Sequence, residues 1–176
     1  MFVCKPRRMA VTPLFDMSRV DMAAMGRLAS VLAEAFRPGD VVLLIGDLGA
    51  GKTTFTKLVA AALGVTHEVT SPTFTIAHTY GTGPSAPIRS LMHLDAYRLR
   101  GADDLDAVGV FETLEDGAAA IIEWGDIVAN AFDDALWMEF TIVDDLTRSV
   151  RSSASADSAW ADRSALWVAG LGAQRC

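Results

Sequence analysis

Apolar and polar positions follow two rhythms along the first half of the chain. Met25, Leu28, Ala29, Leu32, Ala35 and Phe36 recur every three or four residues, the spacing of one face of a helix. Ser18 with Asp21 has the form of a capping box ahead of that helix, and Pro38-Gly39 ends it. Val41-Val42-Leu43-Leu44-Ile45 is an unbroken apolar run of strand length, the pattern of a strand covered on both faces. Residues 53–63 are alanine-rich and helix-forming, and Gly64 suits a C-terminal cap.

The second half is predicted to add strands. Phe74, Ile76, His78 and Tyr80 alternate with smaller residues, which predicts a strand over 70–80. Residues 81–87 (GTGPSAP) then turn the chain, and 88–99 (IRSLMHLDAYRL) form the returning strand. Residues 103–116 are expected to be helical, opened by Asp103-Asp104 and closed near Gly117. AAAIIEW (118–124) is a short buried strand ending in an acid, and ALWMEFTIV (135–143) a further strand. Residues 149–158 (SVRSSASADS) are predicted to be a polar turn or hairpin, and 164–171 a final strand or helix. Residues 1–17 show no period and are expected to be a loose arm, which leaves 18–176 as one domain without repeats or linkers. Strands alternating with helices predict an α/β fold: a central mixed sheet, parallel in its core with antiparallel strands added, flanked by helices.

Charge and cysteine content narrow the function classes. The net charge is −7, from 22 acidic and 15 basic residues, and the imbalance concentrates in residues 95–116. An acidic surface repels phosphate backbones, so unaided nucleic-acid binding is disfavoured; the run is either a solvated helix face or a docking face for a basic partner. Cys4 and Cys176 stand at opposite ends and make neither a disulfide framework nor a zinc site. No stretch is long and apolar enough to span a bilayer, and Lys5, Arg7 and Arg8 are not followed by the apolar region of a secretory signal, so a soluble cytoplasmic protein is expected.

Between the buried strand and the alanine-rich helix lies GDLGAGKTT, residues 46–54. Gly46-x-x-x-x-Gly51-Lys52-Thr53 fits the phosphate-binding loop, strand before and helix after. Each part has a physical reason. The backbone of Asp47, Leu48, Gly49, Ala50 and Gly51 can wrap phosphates and aim N–H groups at them, and the helix N-terminus adds a positive pole. Lys52 would reach the β- and γ-phosphates, Thr53 would ligate magnesium, and Thr54 would contact the α-phosphate. Hydrolysis needs more: a carboxylate to help hold the metal and a group to orient water. Glu123 ends a strand where strand ends converge beside the phosphates. It is a metal ligand, a water-orienting group, or an ordinary solvated strand-end acid. Asp95 is a second candidate, or a salt-bridge partner of Arg98 or Arg100. Thr73, fixed by the Ser71-Pro72 bend, faces either a γ-phosphate or solvent. Trp124 caps the site or packs in the core. His78 and His93 read as packing or surface residues.

Several nucleotide-binding classes lack their marks here: there is no guanine-specifying Asn-Lys-x-Asp motif and no Ser-Gly-Gly motif of transporters. GDLGAGKTTF (46–55), SPTFTI (71–76), HLDAYRL (93–99) and IIEWGD (121–126) together resemble, in order and spacing, the TsaE (YjeE) family over about residues 18–145. That family comprises bacterial ATPases required to make threonylcarbamoyladenosine beside the tRNA anticodon, acting with the TsaD–TsaB pair. The resemblance implies ATP and Mg2+ as cofactors, the TsaD–TsaB pair as partner, and tRNA met indirectly through the complex. It places the family's lysine and threonines on Lys52, Thr53 and Thr54, its aspartate on Asp95, its Glu-Trp pair on Glu123-Trp124, and its Ser-Pro-Thr threonine on Thr73. Arg98 is a candidate arginine finger. Two other readings remain open on the residues alone: a small-molecule kinase, and a nucleotide-gated binding protein whose turnover is incidental.

Overall fold

The computed structural model describes residues 11–72, 76–155, 157–164 and 174–175. Among the described residues, eight strands form one mixed sheet: β1 (Val11–Val20), β2 (Val41–Ile45), β3 (Ala77–Gly81), β4 (Ser90–Asp95), β5 (Ala118–Glu123), β6 (Leu136–Ile142), β7 (Arg148–Ser155) and β8 (Gln174–Arg175). Their order across the sheet is β3-β4-β5-β2-β6-β7-β1-β8. β4, β5, β2 and β6 are mutually parallel, while β3, β7, β1 and β8 join antiparallel at the two sides. This is the mixed α/β sheet the sequence predicts.

The parallel strands are apolar at nearly every position because helices cover both faces. Val42, Leu44, Ala119 and Ile121 pack toward one side, with α1 (Met22–Ala35), α2 (Lys52–Ala62) and Trp160. Val41, Leu43, Ala120 and Ile122 pack toward the other, with Leu105 of α3 (Ala102–Ala107), Val110 of α4 (Val110–Glu115) and Phe132. The period-two split of each strand thus feeds two separate cores.

Several expectations need correction. Residues 11–17 are not a loose arm but most of β1, paired along β7 and partly with β8. Ser18 lies in that strand, and α1 starts later, capped by Asp21, whose carboxylate accepts the Ala24 N–H at 2.8 Å. The stretch 149–158, expected to be a polar turn or hairpin, is mostly one strand over 148–155, the second arm of a hairpin with β6: Val150, Ser152 and Ala154 are buried in alternation, but serine at the inward position hides the hydrophobic rhythm. The acidic helix is two helices, because Gly109 at φ +76° takes a left-handed turn between α3 and α4. The strand expected over 70–80 is formed from Ala77 onward, and 88–99 is a strand only to Asp95, followed by a short 3-10 turn. Residues 73–75 and 165–171 lie outside the described residues, and with them Thr73 and the bulk of the final element expected over 164–171.

Candidate phosphate-binding site

The order of the strands places a switch point at β2, whose neighbours β5 and β6 lie on opposite sides and at whose carboxyl end a ligand crevice is expected. Residues 46–51 leave β2 there and enter α2 at Lys52. Gly46 is required sterically: at φ +142°, a Cβ on it would sit 2.3 Å from the Phe140 carbonyl oxygen of β6. The loop is therefore pressed against the end of β6 by the absence of a side chain.

Lys52 is 5% exposed and its ammonium group folds onto the loop, donating to the Gly46 carbonyl at 2.6 Å and to the Asp47 carbonyl at 3.0 Å. The Trp124 ring lies 4.1 Å from the same nitrogen. Trp124 reaches that position because it adopts a left-handed backbone, φ 56°, directly after β5, and Tyr97 packs on it at 5.2 Å between ring centroids. A non-glycine residue in that conformation costs about 1–3 kcal/mol, held here by the cation–π and ring contacts. Burial lowers the Lys52 pKa from its ordinary value, opposed by the negative charges of Glu123, Asp95, Asp47 and Asp126.

Glu123 is the last residue of β5 and 4% exposed. It lies in register with Leu44 of β2 and Asp95 of β4, so three strand ends meet around it. The Thr53 hydroxyl donates to its carboxylate, 2.7 Å from Oε1 and 2.9 Å from Oε2. His93 Nε2 lies 2.8 Å from Oε1. A carboxylate only accepts, so Nε2 carries the proton. Asp95 shares the crevice, but one of its oxygens accepts the Tyr97 N–H at 3.0 Å and caps the 3-10 turn. Lys52, Thr53, Glu123 and Trp124 are thus assembled into one cluster, with Asp95 beside it, while Thr73 lies outside the described residues.

Beyond Thr54, which is exposed, a cavity of about 240 Å³ opens between the loop, the start of α1 and the β6–β7 turn, lined among others by Val20, Met22, Met25, Leu146 and Arg148. Arg148 fastens that turn to the loop: Nε donates to the Ala50 carbonyl at 3.1 Å, one terminal nitrogen lies 3.3 Å from the Gly49 carbonyl, and the other donates to Asp144 and Thr147 carbonyls at 2.9 Å each.

A lysine and a hydroxyl at the head of α2, with a buried strand-end carboxylate against the hydroxyl, are the parts such a phosphate-binding loop requires. The sequence model of the family described as "Threonylcarbamoyl adenosine biosynthesis protein TsaE" matches residues 20–151. The chain belongs to the TsaE family. Relatives named "tRNA threonylcarbamoyladenosine biosynthesis protein TsaE" include one from Streptomyces coelicolor, 43% identical over 106 residues, 58% of this chain and 68% of the relative. One from Bacillus subtilis is 42% identical over 101 residues, 57% of this chain, and the match spans 60% of that relative's length. One from Mycobacterium tuberculosis is 41% identical over 110 residues, 58% of this chain and 64% of the relative. The crystal structure of Bacillus subtilis YdiB shares the fold at a TM-score of 0.67 and 27% sequence identity, covering 94% of this chain and 97% of that one.

Two residues of this TsaE-family site escaped the sequence reading. His93 opens the HLDAYRL motif and reads in the sequence as a packing or surface residue; its signal is its place two residues before Asp95, on the same face of β4. Arg148 had none, since its contact with the loop joins residues 98 apart in the chain. Among the described residues, no helix is long and apolar enough to cross a membrane.

Proposed function

We propose that this TsaE-family chain binds Mg-ATP and hydrolyses it, in support of threonylcarbamoyladenosine modification of tRNA together with the TsaD–TsaB pair. The observation that carries the reading is the bond between the Thr53 hydroxyl and the buried Glu123 carboxylate, beside an ammonium group already seated on the loop. Family membership supports the pathway and the partner.

The residues fit a magnesium ion. Magnesium takes hard oxygen ligands and is usually held by one or two carboxylates plus substrate phosphates rather than by an all-protein cage. The cluster offers a hydroxyl and a carboxylate in contact, and among the described residues no group of three or more His, Cys, Asp or Glu forms a complete cage. Four carboxylates also surround Lys52, a field that repels a polyphosphate unless a divalent cation accompanies it. Bound there, magnesium would neutralise charge on the β- and γ-phosphates.

The chain's own groups do the rest. Lys52 leaves the Gly46 and Asp47 carbonyls and takes phosphate oxygens in their place, a local exchange of acceptors. The N–H groups at the head of α2 face the same anion. Thr53 and Glu123 would hold the metal side, with Glu123 either ligating the metal or orienting the attacking water. The cavity beyond Thr54 takes the base and ribose, with Arg148 keeping its wall against the loop. Calorimetric titration with ADP, ATP and GTP in the presence of Mg2+ tests this: adenine nucleotides should bind and Lys52→Ala should weaken them by tenfold or more. Equal binding to Lys52→Ala would refute the site.

A further inference from the structure

His93 is fully buried in β4, on the sheet face where Leu91 and Ile121 pack beneath the helices. Its ring makes one polar contact, Nε2 to Glu123 Oε1 at 2.8 Å, while Nδ1 is buried with no hydrogen-bond partner. An imidazole is an expensive choice for an otherwise apolar position, because a second polar atom is desolvated to supply a single donor. The geometry points to a reason. The Glu123 carboxylate has two oxygens and two protein donors, Thr53 and His93, and only Thr53 reaches both oxygens. His93 fixes Oε1 from inside the sheet, so the carboxylate cannot rotate when the Thr53 hydroxyl turns its lone pairs elsewhere.

We propose that His93 is a positioning residue: its Nε2–H holds Glu123 Oε1 so that the carboxylate stays set against the Thr53 hydroxyl as the carboxylate side of a divalent-cation site. This rests on the Mg-nucleotide reading above. A ligand carboxylate held by an outer hydrogen bond is the common arrangement in metal sites, and loss of such a partner costs about 10- to 100-fold in metal affinity or activity. His93 acts through Glu123 and needs no contact with nucleotide. The unpartnered Nδ1 strengthens the assignment, since a purely structural role at this apolar position is met better by leucine or methionine.

The test is Mn2+ binding to the ADP complex of the full chain, read by electron paramagnetic resonance, for wild type, His93→Leu and His93→Gln. Gln carries a donor nitrogen at the reach of Nε2 and Leu fills the space without one. ADP binding in EDTA and the thermal melting curve are recorded for each. His93→Leu should lose about tenfold or more in Mn2+ affinity, while its metal-free ADP binding stays at the wild-type level and its fold is retained. His93→Gln should recover most of the loss. Wild-type Mn2+ affinity in folded His93→Leu would overturn the proposal, as would a folded His93→Gln no better than leucine. A wild-type chain that holds ADP but no Mn2+ would overturn the cation site itself, a result distinguishable from either.

Discussion

Glu123→Gln separates what the Glu123 charge does from what its shape does. The side chains are nearly the same size, so the burial at the end of β5 is preserved. Gln Oε1 can accept from His93 Nε2, now 2.8 Å from the equivalent oxygen, and its amide can donate to the Thr53 hydroxyl at about the present 2.9 Å. Two charge-assisted bonds become neutral ones, a loss of about 1–2 kcal/mol each. Against this, a carboxylate is no longer desolvated, and that penalty amounts to several kcal/mol per ion in real proteins. The two nearly offset, so the expected change in unfolding free energy is within about 1.5 kcal/mol, measured by urea denaturation. The change in turnover should be far larger. Removing the charge that holds the metal side or orients water should lower the rate by about 10²–10⁴, or 3–5 kcal/mol of barrier at 1.36 kcal/mol per tenfold. Phosphate release from Mg-ATP, with ADP binding followed by calorimetry, reads both. Turnover within threefold of wild type in a folded variant would remove Glu123 from the chemistry.

Lys52 should also give nucleotide binding a pH dependence. Its pKa is lowered, chiefly by burial, and only the ammonium form attracts phosphate, so affinity should begin to fall below pH 10.5 as the pH rises, and Lys52→Arg should stay flat. Glu123 is the largest of the charges opposing that shift, so in Glu123→Gln the fall should begin at still lower pH. Arg148→Ala removes four contacts to carbonyls and should cost about 1–3 kcal/mol of ADP affinity, with little effect on a melt of the sheet; unchanged affinity would show that the β6–β7 turn does not brace the loop. Gly46→Ala forces a Cβ to 2.3 Å from Phe140 O at an unfavourable φ, so it should destabilise the fold by more than about 2 kcal/mol or abolish ADP binding, read by melting and calorimetry.

The parts of this protein legible in the sequence are those whose cause is local. β2, the loop 46–51 and α2 were readable because an apolar run, glycines and a helix-forming stretch follow one another directly. Glu123 was readable as a candidate because a carboxylate closing AAAII needs a reason to be buried, and the end of β5 brings it to Thr53, 70 residues away. What stayed hidden depends on pairing. β1 lacks a clean rhythm because bulges between Pro13 and Phe15 and between Met17 and Val20 shift its register against β7. β7 itself keeps a serine, Ser152, at an inward position between Phe15 of β1 and Met138 of β6, which breaks its apolar alternation. His93 and Arg148 acquire meaning only once β4 meets β5 and the β6–β7 turn meets the loop.

The central claim is that this cluster turns over ATP in a partner-coupled way. Its most direct test is phosphate release from Mg-ATP by the full chain, alone and with the TsaD–TsaB pair and tRNA, alongside Glu123→Gln. The account predicts a slow intrinsic rate that the pair raises and that Glu123→Gln abolishes in both settings. Binding of ATP with no phosphate release under any condition, or transfer of the phosphate to a small acceptor without the pair, would contradict it.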